Sequence, residues 1–112
     1  MRRSDPRVET SFYLNKVVGG VPYLVRATNL SRSGLHIHKL LEPTLDSGTP
    51  TAVEFALPNS SQVVWADVDP VWESGRRSMG LKFRNLTPRV QRLIDDYVQE
   101  NVESTQQGAA YP

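Results

Sequence analysis

Arg3 and Arg7 stand four residues apart at the start of a 112-residue chain, with Arg2 immediately before them. All three guanidiniums fall within "MRRSDPR", ahead of any stretch that could anchor a strand. A guanidinium is a planar fork of donors. It grips a phosphate or the O6/N7 edge of guanine through two parallel hydrogen bonds, and it stacks on purine faces. Further along comes Asn29-Leu30-Ser31-Arg32-Ser33-Gly34. Asn29 offers a donor and an acceptor to a base edge, and Ser31 a hydroxyl to a base or phosphate. Gly34 permits positive φ and close approach of a ligand. Arg32 lies inside this cluster, within reach of a phosphate or simply on the surface. Taken singly, the arginines read as a solvated tail, and Asn29 and Ser31 as turn caps. Taken together, they read as two halves of a clamp for a guanine nucleotide.

Other chemistry-bearing residues are weaker candidates. His36 and His38 share a strand face and suit a metal. No cysteine or patterned carboxylate completes the set, so an exposed face is expected. Trp65 and Trp72 could stack bases, but packing in the core or on the barrel surface is the expected role. Asp67 and Asp69 read as a solvated face, and Asp95 and Asp96 lie off the apolar stripe of a helix. No nucleophile–base pair or metal set emerges, so an enzyme is not expected.

The elements that must position these residues are mostly strands. "TSFYLN" ends near Gly19-Gly20, a turn signal. "VPYLVRATN" carries Tyr23, Val25 and Ala27 on one parity and Leu24, Arg26 and Thr28 on the other. "GLHIHKL" alternates Leu35 and Ile37 with the two histidines. "TAVEFAL", "VVWADVDPVW" and "MGLKF" follow, with Pro70 marking an edge or bend. Asp46-Ser47-Gly48, Pro58-Asn59-Ser60 and Glu73-Ser74-Gly75 punctuate them. Six short strands of this kind predict an all-β barrel or sandwich. The period then changes. Val90, Leu93, Ile94, Tyr97 and Val98 form one helical stripe, with Thr87 as N-cap and Pro88 at the first helical position. The spacing predicts Leu93, Ile94 and Tyr97 buried and Arg92, Asp95 and Asp96 exposed.

Bulk properties narrow the classes. One domain is all that 112 residues support. Thirteen basic and twelve acidic residues leave a net charge of +1, too small for a general nucleic-acid binder, so any anion site is local. The absence of cysteine excludes disulfides and thiolate zinc sites. No apolar run approaches the length of a membrane helix, so membrane insertion is not expected and a cytoplasmic location is the default. The chain divides into a basic arm (1–9), a barrel with its helix (10–101, helix about 87–101) and a disordered tail (102–112).

R-x-x-x-R followed by [D/N]-x-S-x-x-G, in a six-stranded context closed by a helix, resembles the PilZ domain family, bacterial receptors for cyclic di-GMP. "VVWADVDPVW", "MGLKF" and the amphipathic helix extend the resemblance over nearly the whole chain. It implies a mainly β fold, a six-stranded antiparallel β-barrel with a C-terminal α-helix packed on it. It implies that Arg3 and Arg7 grip phosphate and the Hoogsteen edges of guanine. Asn29 would contact a guanine edge, Ser31 guanine or phosphate, and Gly34 would leave room for the ligand. Asn29 stands where many members have Asp, and brings an acceptor without a charge. The residue before R-x-x-x-R influences ligand number in the family. Here it is Arg2, and the cluster Arg2, Arg3, Arg7 and Arg32 points to two cyclic di-GMP molecules per chain. No other cofactor is implied. The expected function is a cyclic di-GMP receptor that signals to an unidentified effector protein by ordering its N-terminal arm, in motility or polysaccharide machinery for instance. The alternatives are a PilZ-like interaction adaptor that binds no nucleotide, and a small barrel that binds single-stranded nucleic acid.

Overall fold

A computed structural model describes residues 6–40, 49–75 and 77–109. Its elements are β1 (Arg7–Val18), β2 (Val21–Ser31), β3 (Gly34–Lys39), β4 (Thr51–Ala56), β5 (Val63–Ser74), β6 (Ser78–Arg84) and α1 (Pro88–Ala109). The strands close into a barrel in the order β1-β2-β3-β6-β5-β4, and every neighbouring pair is antiparallel. Gly19 and Gly20 turn β1 into β2 with φ of 57° and 86°. Two successive positive φ angles are what a tight hairpin loop requires, and glycine meets that need without strain.

Alternation places the core. Leu35 and Ile37 of β3, Val53 and Phe55 of β4, Val64, Ala66 and Val68 of β5, and Met79, Leu81 and Phe83 of β6 all point inward and are buried. The last turn of chemistry before α1 is a cap: Thr87 Oγ1 accepts from Val90 N at 3.2 Å. Val90, Ile94, Tyr97 and Val98 then bury one stripe of the helix in the same cluster. Leu93 departs from the expected pattern. It is only half-buried, and Ile94, with no exposure, is the central helix residue of the core. Asp95 is also half-buried rather than solvated, because it meets a basic side chain described below. Asn59 Nδ2 donates to Glu100 Oε1 at 3.2 Å, and Arg89 Nη1 donates to Gln62 Oε1, pinning α1 to the loop after β4.

Two expected boundaries move. Strand pairing begins at Arg7, opposite Ser31, so the last residues of the expected arm belong to β1. The helix runs to Ala109 rather than ending near 101, so most of the expected tail continues it. Glu, Gln and Ala are good helix formers and no proline interrupts them. Residues 1–5, including Arg2 and Arg3, the turn Asp46-Ser47-Gly48 and residues 110–112 lie outside the described residues. Among the described residues no helix is long and apolar enough to cross a membrane.

Three register shifts occur among the described residues, one of them between Glu9 and Phe12 of β1, and the other two decide what β2 and β5 turn outward. Strict alternation would carry β2 from Val25 and Ala27 to Asn29 on the inner face. The β2–β3 register instead shifts between Ala27 and Asn29. Leu30 therefore takes the core position, with no exposure, and Asn29 turns to the outer wall. Two threonines patch the disturbed ladder: Thr10 Oγ1 donates to Ala27 O at 2.9 Å and Thr28 Oγ1 to His36 O at 3.2 Å. The β5–β6 register shifts likewise between Pro70 and Trp72. Val68 faces the core, but Trp72 emerges on the outer wall. A proline at a bulge sacrifices no ladder hydrogen bond that the pairing needs.

Candidate functional site

The two bulges bring four strands' side chains into one row. Residues Glu9, Asn29, His36, Gly80 and Trp72 lie opposite one another across β1, β2, β3, β6 and β5. Arg7 begins β1 beside this row and reaches into it. Its Nη1 donates to Asn29 Oδ1 at 2.5 Å. Asn29 Nδ2 lies 2.7 Å from His36 Nδ1. His36 meets Trp72 edge to face, with ring centroids 4.9 Å apart and planes at 79°.

The direction of every proton in this chain follows from its first donor. Arginine has no acceptor, so the amide atom facing Arg7 is the oxygen. The amide nitrogen must then face His36, and Nδ1 of His36 must accept. His36 is therefore neutral, with its proton on Nε2. Burial, and secondarily the Arg7 charge, hold its pKa below the ordinary 6.5. Both effects act in the sense the hydrogen bond requires.

Trp72 lies over a glycine for a steric reason. A Cβ on Gly80 would stand 2.2 Å from Trp72 Nε1. Only a bare backbone lets the indole lie against the sheet. The ring remains 40% exposed, enough to present a face to a ligand. Sequence reading gave Trp72 a packing role and His36 an exposed face. Trp72 packs on the barrel surface and His36 lies half-buried on the outer wall, and Pro70 marks the bulge that turns Trp72 outward.

The other expected site residues fare differently. Ser31 has no exposure. Its Oγ accepts from Ser33 N at 3.2 Å and lies 3.1 Å from Ser33 Oγ and 3.4 Å from Gly34 O. The hydroxyl organises the β2–β3 turn. Gly34 does not use the positive φ that glycine permits. It is buried, and a Cβ there would meet Leu81 O at 2.2 Å. The glycine lets β3 approach β6. Arg32 turns toward the helix, its Nε 3.6 Å from Asp95 Oδ1. With Pro6, Asp96, Val98 and Gln99 these two line a hollow between the start of β1 and α1. His38 follows His36 on the outer wall, half-buried and opposite Arg26 and Ser78. Among the described residues no three metal-ligating side chains gather. The structure thus joins Arg7 and Asn29 directly and adds His36 and Trp72. It assigns Ser31 and Gly34 to the turn and the barrel that hold them.

Comparison with known proteins agrees with this architecture. No curated protein matches the sequence. Among solved structures, the PilZ domain with c-di-GMP of YcgR from Escherichia coli is similar over 100% of both chains, with 17% identity and a TM-score of 0.74. The Bacillus subtilis inhibitor of motility MotI/DgrA is similar over 100% of this chain and 54% of its own, with 16% identity and a TM-score of 0.65. Those identities speak to fold alone. The PilZ domain family model matches residues 1–100 of the 112, and by that match the chain belongs to the PilZ domain family.

Proposed function

We propose that this protein is a receptor for cyclic di-GMP that reports the level of this second messenger to a protein partner. The observation that carries the reading is the 2.5 Å hydrogen bond from Arg7 to Asn29. It unites the two motif halves at one point of the outer wall. In the pose we propose, Arg3 and Arg7 grip phosphate and the O6/N7 edge of guanine. Asn29 Oδ1 accepts from guanine N1–H and N2–H, and Trp72 supplies a ring face for stacking. The similar YcgR domain was solved with c-di-GMP, which supports the ligand class. A relative named for inhibiting motility supports an effector role in such machinery.

A ligand pair brings four phosphate charges into one place. Arg2, Arg3 and Arg7, with Arg32 released from Asp95, offset their repulsion, so two ligands per chain are expected. Binding an anion among the arginines removes their mutual repulsion and orders the segment before β1, which is the signal a partner reads. Calorimetric titration of the protein with cyclic di-GMP tests this. Saturation at two ligands per chain is expected, with Arg2→Leu shifting it to one. Saturation of the wild type at one ligand would remove the paired site, and absence of binding heat would remove the function.

One observation favours a second reading, an adaptor that binds protein and no nucleotide. Tyr13, Leu24, Val63 and Trp65 leave large apolar surface exposed on β1, β2 and β5. Melting with and without cyclic di-GMP separates the readings. A ligand at 100 times its Kd adds about 2.7 kcal/mol, and an adaptor of this kind gains nothing.

A further inference from the structure

Asn29 is a two-faced reader. Its amide ends differ only by which way the group is turned, and the two orientations offer a base opposite chemistry. Arg7 constrains the amide at its oxygen end only, from an exposed side chain. The second constraint is His36 Nδ1, 2.7 Å from the amide nitrogen. It is held on a different strand, in register with Asn29 and Gly80. The edge-on contact with Trp72 fixes the imidazole ring in turn. With Arg7 donating to Oδ1, Nδ1 of His36 accepts from the amide nitrogen, and the two contacts at opposite ends of the group together hold one orientation.

We propose that His36 is a positioning residue that sets base specificity, by holding the Asn29 amide with its oxygen toward the bound base. This rests on the pose given above, in which Asn29 meets the N1/N2 edge. Guanine shows two donors there, N1–H and the N2 amino group, and Oδ1 answers them. Adenine shows the N1 acceptor and no amino group at C2, so Oδ1 finds no donor on the base and two acceptors face each other. A turned amide would reverse the preference, presenting N–H to adenine N1 and against guanine N1–H. A site built to bond one edge rejects a base lacking it because its own polar groups are then left unpaired.

Cyclic di-GMP and cyclic di-AMP carry the same charge, so the ratio of their affinities cancels any electrostatic effect of a substitution. The experiment is calorimetric titration of the full chain with each nucleotide, for wild type, His36→Glu and His36→Lys. A Glu side chain at this position only accepts, and keeps the amide as it is. A Lys side chain only donates, and turns it. Wild type is expected to favour cyclic di-GMP. His36→Glu should weaken both nucleotides while retaining the ratio. His36→Lys should lower the ratio by about tenfold or more, the scale of one lost base-edge contact. Thermal melts of both variants establish that they fold. Equal ratios in the Glu and Lys variants, with wild-type binding intact, would overturn the role of His36 and leave the receptor intact. A wild type that binds neither nucleotide would overturn the receptor and this role with it.

Discussion

On the inner side of β2, Val25, Ala27 and Leu30 are sealed from water, while Asn29 sits between them on the outer wall and joins Arg7 to His36. These two faces of one strand have different tolerances. The inner face belongs to an apolar cluster that recruits the helix through Val90, Ile94, Tyr97 and Val98. Its strength comes from burial and packing, which depend on volume. The outer row depends on the direction of donors and acceptors, and contributes little burial. Substitutions should therefore separate stability from binding, with Ser31 and Gly34 as the hinge residues that belong to both.

The largest effect tests the inner face. Ile94→Ala should cost about 2–5 kcal/mol of stability, the range for a fully buried aliphatic residue. Chemical denaturation measures it, and nucleotide affinity of the folded fraction should stay at the wild-type value. Leu93→Ala should cost less, because Leu93 is half-buried. Equal costs at both positions would mean the helix rotates on the barrel.

Arg7→Ala tests the outer row. It should weaken cyclic di-GMP binding at least about tenfold, since a charge-assisted hydrogen bond contributes about 1.5–3 kcal/mol. The melting temperature should hold, because the side chain is exposed. A variant that loses stability as well as affinity would break the distinction between the two faces.

Ser31→Ala tests the residue that belongs to both. A buried hydroxyl that serves Ser33 and Gly34 is removed, and about 1 kcal/mol of stability should go with it. Affinity should fall by less than in Arg7→Ala, because the turn loosens while the row keeps its donors. Lost affinity at unchanged stability would assign Ser31 a direct ligand contact instead.

The smallest effect is in pH. His36 has a folded pKa below its ordinary 6.5, so the folded state resists its protonation. Its contribution to stability is complete above 6.5 and is lost as pH falls through the lowered value. Glu73 repeats the sign further down. Its hydrogen bond from Lys39, at 2.7 Å, holds its pKa below 4.5, so that contribution disappears in stronger acid. Melts between pH 7.5 and 5.5 should show a decline that His36→Leu lacks. Parallel curves for the two proteins would mean that His36 takes up its proton without disturbing the row.

Most of the fold was legible because alternation and period are local properties. "GLHIHKL" reads the same in the sequence as in β3, and the Thr87-Pro88 start of α1 follows from capping alone. Leu93 was misjudged because the stripe leaves the exact centre of a helix face open, and only the barrel beneath selects Ile94. The site was half legible. Arg7 and Asn29 announce themselves by type. His36 and Trp72 do not, since parity assigns them to a bare face and to packing. A bulge changes parity without changing composition, and that is what hid the outward turn of Trp72; His36 keeps the parity of its strand, and its place opposite Asn29 depends on pairing across the chain. Gly34 was legible as a glycine that something must approach closely. That the approaching group is Leu81 O and not a ligand depends on strand pairing across the chain.

The shift between Ala27 and Asn29 also makes the chain sensitive to counting. A ladder with even alternation reads in steps of two, and this one spends a single extra residue to move from one frame to the other. Pairing the strands without the shift would restore unbroken alternation through Thr28 and carry Asn29 to the inward position two residues after Ala27. The carboxamide would enter the apolar interior and Leu30 would be displaced toward water, although every residue type is unchanged. Relatives that keep this pocket should therefore hold the shift and its extra residue together or lack both together, while loop lengths at the barrel rims vary freely.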